Sequence, residues 1–460
     1  MTPTLNAAER AHTPPSALNP AVHQAVQDMT PLKGKNALVV DSALATRRAL
    51  QDQLSQLGAR SVVFASSVSE VEQQLLSRDY SLIVCEYQLE GERNGQQLLE
   101  DLRVNRKLDP HVAFMMVTGE RSYANVVAVA EFEPDDYLIK PFTASTLSDR
   151  VVRIFNKKLR LSKIYSAHFE GRFEELPALC LEMLVEYPQY SLELERVRIE
   201  SYFRSGQLDK AEAALKEDLE QEPRPWMKLL LAKLKVERKR YDEAGQLLSG
   251  IVKHNPEYLA ASDLFADVLW EQNRPADALD ILEKMGAKAL ASTTRLRKLA
   301  DLSVRVGDNT RSKNYLNKVI DRSRNTSLSQ LGDYLQLSKI YVAEGRVDEA
   351  EKLTAKLRST VSSSALEIAR AILNIQRDIS DDRGGRAKER LHAFFEEHTD
   401  DLDSMEPETL TSLLEMCFSV NIPGKGYELA RLISKRKPSK GMLDRIRVAI
   451  EAFKQDFEDS

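Results

Sequence analysis

The sequence predicts a multidomain chain: a doubly wound α/β domain with a five-stranded parallel sheet, followed by an all-α array of paired helices. Three observations carry this. Between Lys35 and Phe142, apolar runs of strand length end in charged residues: Ala37-Leu38-Val39-Val40-Asp41, Leu82-Ile83-Val84-Cys85-Glu86 and Tyr137-Leu138-Ile139-Lys140-Pro141-Phe142. Such runs read as parallel strands buried on both faces, with polar chemistry at their carboxyl ends. The runs alternate with segments of helical periodicity, and beyond about residue 165 a short phrase recurs with a period of about 34 residues. A length of 460 residues also exceeds what one ordinary core organises.

Taken in order, Asn36 to Asp41 is the first strand. The next helix carries Leu44, Arg47, Leu50, Leu54 and Leu57 at spacings of three and four and stops near Gly58. Ser61 to Ala65 is a second strand, Ser69 to Leu76 a helix and Ser81 to Cys85 the third strand. The polar loop Glu90 to Gly95 leads into a helix with Leu98, Leu99 and Leu102 on one face. Val112 to Val117 is a fourth strand ending in Thr118-Gly119, and a weaker helix covers about Ser122 to Phe132. Tyr137 to Lys140 is the fifth strand, and Thr143 to about Leu161 the fifth helix. Sheets of this kind place ligands in the crevice beyond the strand ends.

The segment 34–160 resembles the receiver domain of two-component response regulators (CheY-like). The resemblance implies a flavodoxin-like fold, an acidic Mg²⁺ pocket and an aspartate that accepts a phosphoryl group from a histidine kinase. On that resemblance Asp41 is the first residue of the family's acidic pair, with Ser42 in the place of the second. Glu86 stands at the phosphoacceptor position, Thr118 and Tyr137 at the switch positions, and Lys140-Pro141 at the lysine and its neighbouring proline.

Two departures matter. Glu86 is one methylene longer than aspartate, and phosphoryl transfer depends on where the attacking oxygen sits; about 1 Å of misplacement costs on the order of a hundredfold. Ser42 removes a carboxylate from a site for a hard, oxygen-preferring cation. Asp41 and Glu86 alone are expected to bind Mg²⁺ weakly or not at all, so no cofactor is expected. Lys140 is expected to pair with Glu86 or Asp41 across the pocket. Three readings stay open: Glu86 imitates the phosphorylated state by reaching toward Thr118 and Lys140; the pocket is a relic in a docking or dimerising module; or residual phosphorylation persists. One carboxylate carries one charge and two acceptor oxygens, against about two charges and three oxygens for a phosphate. The resemblance also implies a partner or homodimer surface, to which Tyr123, Val126, Val127, Phe132, Glu133, Asp135 and Asp136 contribute.

Arg150 to Ile164 reads as one continuous helix with a solvated basic stripe of Arg153, Lys157, Lys158, Arg160 and Lys163. Beyond it, Gly171–Leu176, Gly206–Ala211, Lys239–Ala244, Asn273–Ala278, Gly307–Ser312 and Gly345–Ala350 align. The first position favours a permissive backbone for the turn between helices, and the sixth a small residue where helices cross. This second resemblance, to tetratricopeptide (TPR) repeats, implies a groove for a protein partner. It covers 161–380 and continues irregularly through 381–460, where Asp382–Ala387 fits weakly and Lys425–Ala430 more weakly. A helix from about Leu443 to Phe457 is expected to cap the array, and Lys435 to Lys440 to be a solvated basic helix end.

Residues 1–33 read as a disordered tail rich in Ala, Pro, Gln and Thr. The charged fraction is 29% and the net charge −5, which gives no general drive toward nucleic acid. No apolar run is long enough to span a membrane, and the N-terminus lacks a signal-peptide pattern. The cysteines Cys85, Cys180 and Cys417 lie in apolar stretches and read as buried thiols of a cytoplasmic protein. No nucleophile, metal cluster or phosphate-binding glycine loop is framed, so no enzyme activity is expected. The expected function is a non-catalytic bacterial signalling adaptor, in which a phosphorylation-independent pseudo-receiver is coupled to a TPR scaffold. The alternative is a phosphorylation-controlled response regulator with the TPR array as its output.

Overall fold

The computed structural model describes residues 30–458 except 92, 120–133, 222–223, 257, 287–291, 325–327, 358–362 and 437. Of the expected tail, 1–29 lies outside the described residues. Its last part is no tail. Leu32 is fully buried, because it packs with Leu54 and Phe155 in the sheet core, and Lys33 bridges to Ala59. The chain divides into two compact units, one ending at Ser201 and one beginning at Tyr202; the division placed at 160/161 from the sequence falls inside the first.

The first unit contains one parallel sheet of β1 (Asn36–Val40), β2 (Ser61–Ala65), β3 (Leu82–Cys85), β4 (Ala113–Thr118) and β5 (Asp136–Ile139), in the order β2-β1-β3-β4-β5. Alternation along each strand sends side chains to two cores. Ala37, Val39, Leu82, Val84 and Met115 face helices α1 (Leu44–Gln56) and α4 (Ala144–Arg160). Leu38, Val40, Ile83, Cys85 and Phe114 face α2 (Val68–Ser77) and α3 (Gly95–Val104). The weaker helix expected at 122–132 lies outside the described residues. Caps explain the helix starts: Ser67 accepts from Glu70 N–H, Asn94 and Gln97 form a reciprocal capping box, and Thr143 accepts from Thr146 N–H.

The continuous helix expected over 150–164 breaks at Leu161, between α4 and α5 (Ser162–Phe169). Its basic stripe is largely paired and not simply solvated. Lys158 is buried, donates to the Pro110 carbonyl and pairs with Asp135 at 2.9 Å, while Arg153 pairs with Asp136 and Lys157 with Glu193. The unit continues through α6 (Leu176–Glu186) and most of α7 (Ser191–Arg204).

Helix pairs fill the second unit: α8 (Leu208–Gln221), α9 (Pro225–Glu237), α10 (Tyr241–His254), α11 (Leu259–Glu271), α12 (Pro275–Lys284), α13 (Thr293–Arg305), α14 (Asn309–Ser323), α15 (Leu331–Ala343), α16 (Val347–Leu357), α17 (Ser363–Ser380), α18 (Gly384–Glu397), α19 (Pro407–Ser419), α20 (Pro423–Ser434) and α21 (Lys440–Glu458). The recurring phrase has a simple backbone cause. Its first residue adopts positive φ at Gly171, Gly206, Lys239, Asn273, Gly307 and Gly345, and again at Asp382 and Asn421. The following N–H reaches back to a carbonyl five residues earlier, as in Arg240 to Lys235 and Asp308 to Ser303, both 2.8 Å. This is the 6→1 closure of a Schellman turn.

The sixth residue is buried where the two helices cross: Ala211, Ala244, Ala278, Ser312 and Ala387 have no exposed surface. The last copy is Asn421–Gly426, which corrects the register 425–430 read from the sequence. Asn421 carries the left-handed turn, and a methyl group on Gly426 would meet the Phe418 ring at 2.8 Å. The cluster Lys435–Lys440 is also no free end, since Arg436 donates to the carbonyls of Leu402, Asp403 and Met405.

In the first unit, Gly95 lets the start of α3 pack against the end of β3. A methyl group there would lie 2.2 Å from the Glu86 carbonyl oxygen and 2.9 Å from Cys85 Sγ. Gly95→Ala is expected to destabilise the first unit by about 1–3 kcal/mol, as overpacking against backbone does. A denaturant titration with hydrogen exchange of the β3 amides checks it.

Candidate functional site

Parallel strands bring the sequence-predicted residues together beyond their carboxyl ends. Val40 pairs with Cys85 across β1 and β3, so Asp41 and Glu86, each one residue further on, are neighbours. The Asp41 amide donates to Ala65 and the Glu86 amide to Val40. Thr118 ends β4 opposite Ile139, and its carbonyl accepts the Lys140 amide at 2.7 Å. Lys140 follows β5 and is joined to Pro141 by a cis peptide bond.

Lys140 Nζ lies 2.7 Å from Asp41 Oδ2 and 2.5 Å from Glu86 Oε2, donating to both. The expected pairing with one acid or the other is a pairing with both. The remaining oxygens are held by the backbone. Ala43 N–H donates to Asp41 Oδ1 and Tyr87 N–H to Glu86 Oε1, each at 2.7 Å. Those two amides are what side-chain reasoning missed; each follows its acid within two residues, so a short turn after the strand was the only available signal. The Asp41 side chain is 4% exposed, that of Glu86 11% and that of Lys140 25%. Burial alone would lower the lysine pKa. The hydrogen bonds and charges of Asp41 and Glu86 outweigh it, and the net shift is upward from the ordinary 10.5. Thr118 is buried, Tyr137 is half-buried against the α2/α3 core, and Ser42 is exposed. Burial, together with the charges of Glu86 and Asp41, pushes the Cys85 thiol far upward and keeps it protonated.

The donor set is short of oxygens for Mg²⁺. Each of the four carboxylate oxygens already accepts a hydrogen bond, and Ser42 offers no carboxylate in place of the missing acid. Of the expected partner surface, Tyr123, Val126, Val127, Phe132 and Glu133 lie outside the described residues. Asp135 pairs with Lys158 and Asp136 with Arg150 at 2.5 Å.

The sequence model of the response regulator receiver domain matches residues 37–152, and that of the tetratricopeptide repeat matches 235–302. The chain carries a CheY-like receiver domain followed by TPR repeats. It is similar to chemotaxis protein CheY-3 of Vibrio cholerae, 27% identical over 27% of this chain and 95% of that one. Chemotaxis protein CheY of Pseudomonas aeruginosa is 28% identical over 26% of this chain and 95% of its own. Among solved structures, a CheY-like receiver domain protein from Methanospirillum hungatei covers 27% of this chain and 97% of its own, at 25% identity and a TM-score of 0.25. The receiver domain and the TPR repeats support two-component signalling and protein binding. Among the described residues no helix is long and apolar enough to cross a membrane.

Lys140→Met would leave two shielded carboxylates facing each other. It is expected to cost about 1–3 kcal/mol, with part of the loss recovered when Glu86→Gln is added. Because the folded pKa of Lys140 lies above 10.5, the contribution is present in full below that pH and fades as pH climbs through the higher folded value. Unfolding titrations of the single and double variants at pH 7 and above pH 11 measure this.

Proposed function

We propose that the protein is a non-catalytic signalling adaptor, in which a phosphorylation-independent pseudo-receiver is coupled to a TPR scaffold that binds a protein partner. The observation that carries the reading is the double pairing of Lys140 with Asp41 and Glu86. A metal ion would have to displace the lysine from the same oxygens, and the glutamate oxygen that would attack phosphorus is held by that lysine. In this reading Glu86 supplies a permanent negative charge at the phosphoacceptor position. Lys140, Thr118 and Tyr137 then sit in one fixed arrangement, with no switching between two.

The partner site belongs to the repeats, whose paired helices present an extended face to another protein's peptide or helix. The receiver can add a second contact, to another copy or to a signalling protein. Regulation then depends on access of the partner and not on a phosphoryl group.

Incubation with a small phospho-donor and Mg²⁺, followed by intact-mass measurement, is expected to give no adduct. A stoichiometric acyl phosphate on Glu86 or Asp41 would instead establish a phosphorylation-controlled response regulator. Glu86→Asp combined with Ser42→Asp is expected to raise Mg²⁺ affinity at least about tenfold, because it returns a third carboxylate and shortens the second. Isothermal titration of both proteins with Mg²⁺ decides that point.

A further inference from the structure

In the second unit the first helices of the pairs lie against one another along one face, and charges stitch it together. Arg295 of α13 forms a two-point pair with Asp263 of α11, and Arg297 forms another with Asp333 of α15. Gln336 of α15 donates to Asp301 of α13 at 2.9 Å, and Lys339 of α15 pairs with Glu415 of α19 at 2.8 Å. α15 and α19 approach so closely that a methyl group on Gly332 would lie 2.1 Å from Glu408 Cβ.

The last helix, α21, lies along this face. Lys440 pairs with Glu271 at 3.0 Å, and Asp444 accepts the indole N–H of Trp270. Arg445 donates to Glu408 at 2.6 Å and to Glu415 at 2.9 Å. Gly441 sits where no side chain fits, since a methyl group there would meet Asp301 Oδ2 at 2.1 Å. Further along, Phe453 packs on Phe418 with ring centroids 5.5 Å apart.

The seating combines these polar contacts with an apolar seam, since Ile446, Ala449, Ile450 and Phe453 pack on the buried core of the repeats. An open pocket of about 410 Å³ lies alongside, lined by Trp270, Asp301, Val304, Lys339, Ala452 and Phe453 among others. Val448, on the same lining, is 45% exposed, and Leu443 47%. A helix laid into a groove on a few anchors has the form of a bound ligand.

We propose that α21 is an intramolecular ligand, occupying the groove that a partner helix uses. The partner it stands in for is an amphipathic helix that opens on lysine and glycine. Aspartate and arginine follow three and four residues after the glycine, and small apolar side chains and an aromatic continue along the same face. Such a helix displaces α21 by making the same contacts to Glu271, Asp301, Trp270, Glu408 and Glu415. This rests on the reading of the repeats as a protein-binding scaffold. The tether, residues 435–439, is short. It gives α21 an effective concentration on the order of millimolar, so the intact chain resists weak competitors and yields to tight ones.

The test uses the full-length chain. A protease-recognition sequence is inserted between Arg436 and Lys440, the folded protein is nicked there, and a labelled synthetic peptide of residues 438–460 is added. Trp226→Phe leaves Trp270 as the only indole reporter. The expected result is exchange of the resident helix for the peptide, one per chain, with retained far-UV helicity of the repeats and a change in Trp270 emission. The un-nicked chain is expected to bind the peptide at least about tenfold more weakly. A peptide carrying Gly441→Leu is expected not to bind. A nicked chain that never exchanges its helix, or whose repeats melt when the helix leaves, would show α21 to be a fixed part of the core. That outcome would overturn self-occupation and leave the other surfaces of the repeats, and hence the scaffold reading, standing.

Discussion

One ammonium group held between two carboxylates decides what the N-terminal pocket can do. Parallel strands β1 and β3 place Asp41 and Glu86 side by side whatever their chemistry, because the register fixes Val40 opposite Cys85. Two adjacent shielded carboxylates repel, and Lys140, delivered from the end of β5, removes that repulsion. The arrangement is stiff. Each acid also accepts a backbone amide, so neither can swing toward an incoming ion without giving up a bond. The longer glutamate side chain reaches the lysine and its own following amide at once. Serine at position 42 then leaves no third carboxylate to tip the balance toward a metal.

The repeats depend on a different constraint, the passage of two helices at close range around a left-handed turn residue. Glycine meets it without cost, but Lys239, Asn273, Asp382 and Asn421 meet it too. The turn's hydrogen bonds and the buried small residue five positions later compensate. Charged pairs between first helices then hold neighbouring repeats in register, and Arg295 and Arg297 each use both ends of the guanidinium fork.

Much of this was legible in the sequence, for identifiable reasons. The inner strands β1, β3 and β4 were legible because their residues are buried on both faces and read as apolar runs, and the edge strands β2 and β5 because they are short apolar runs between helices. The neighbouring acids and lysine were legible because strand ends converge. The repeats were legible while the turn residue was glycine, or while its successors kept an alanine at the sixth position. Legibility failed at Asn421, where the crossing is made by Gly426 against Phe418 and the familiar alanine is missing. It failed for the tail at Leu32, because one leucine among polar neighbours gives no periodicity. It failed most for α21. Its amphipathic pattern announced a helix, and a helix at the end of an array reads as a cap. The bond from Trp270 to Asp444 joins residues 174 positions apart, and nothing local in either stretch predicts the other.

The two sites share one logic. Each is a place where a partner from outside could bind, a cation among acids in one and a helix against a charged groove in the other. Each is filled by the chain itself, because buried charge without a counter-charge is expensive. They differ in how the filler is attached. Lys140 follows the last strand of a packed sheet, its amide held by the Thr118 carbonyl, so only its side chain can move, and that would leave two shielded acids facing each other. On the proposed reading α21 hangs from a short tether and holds its groove through polar anchors and one apolar seam, beside an open pocket. On that reading displacement costs less at the repeats than at the pocket, and regulation acts at the repeats.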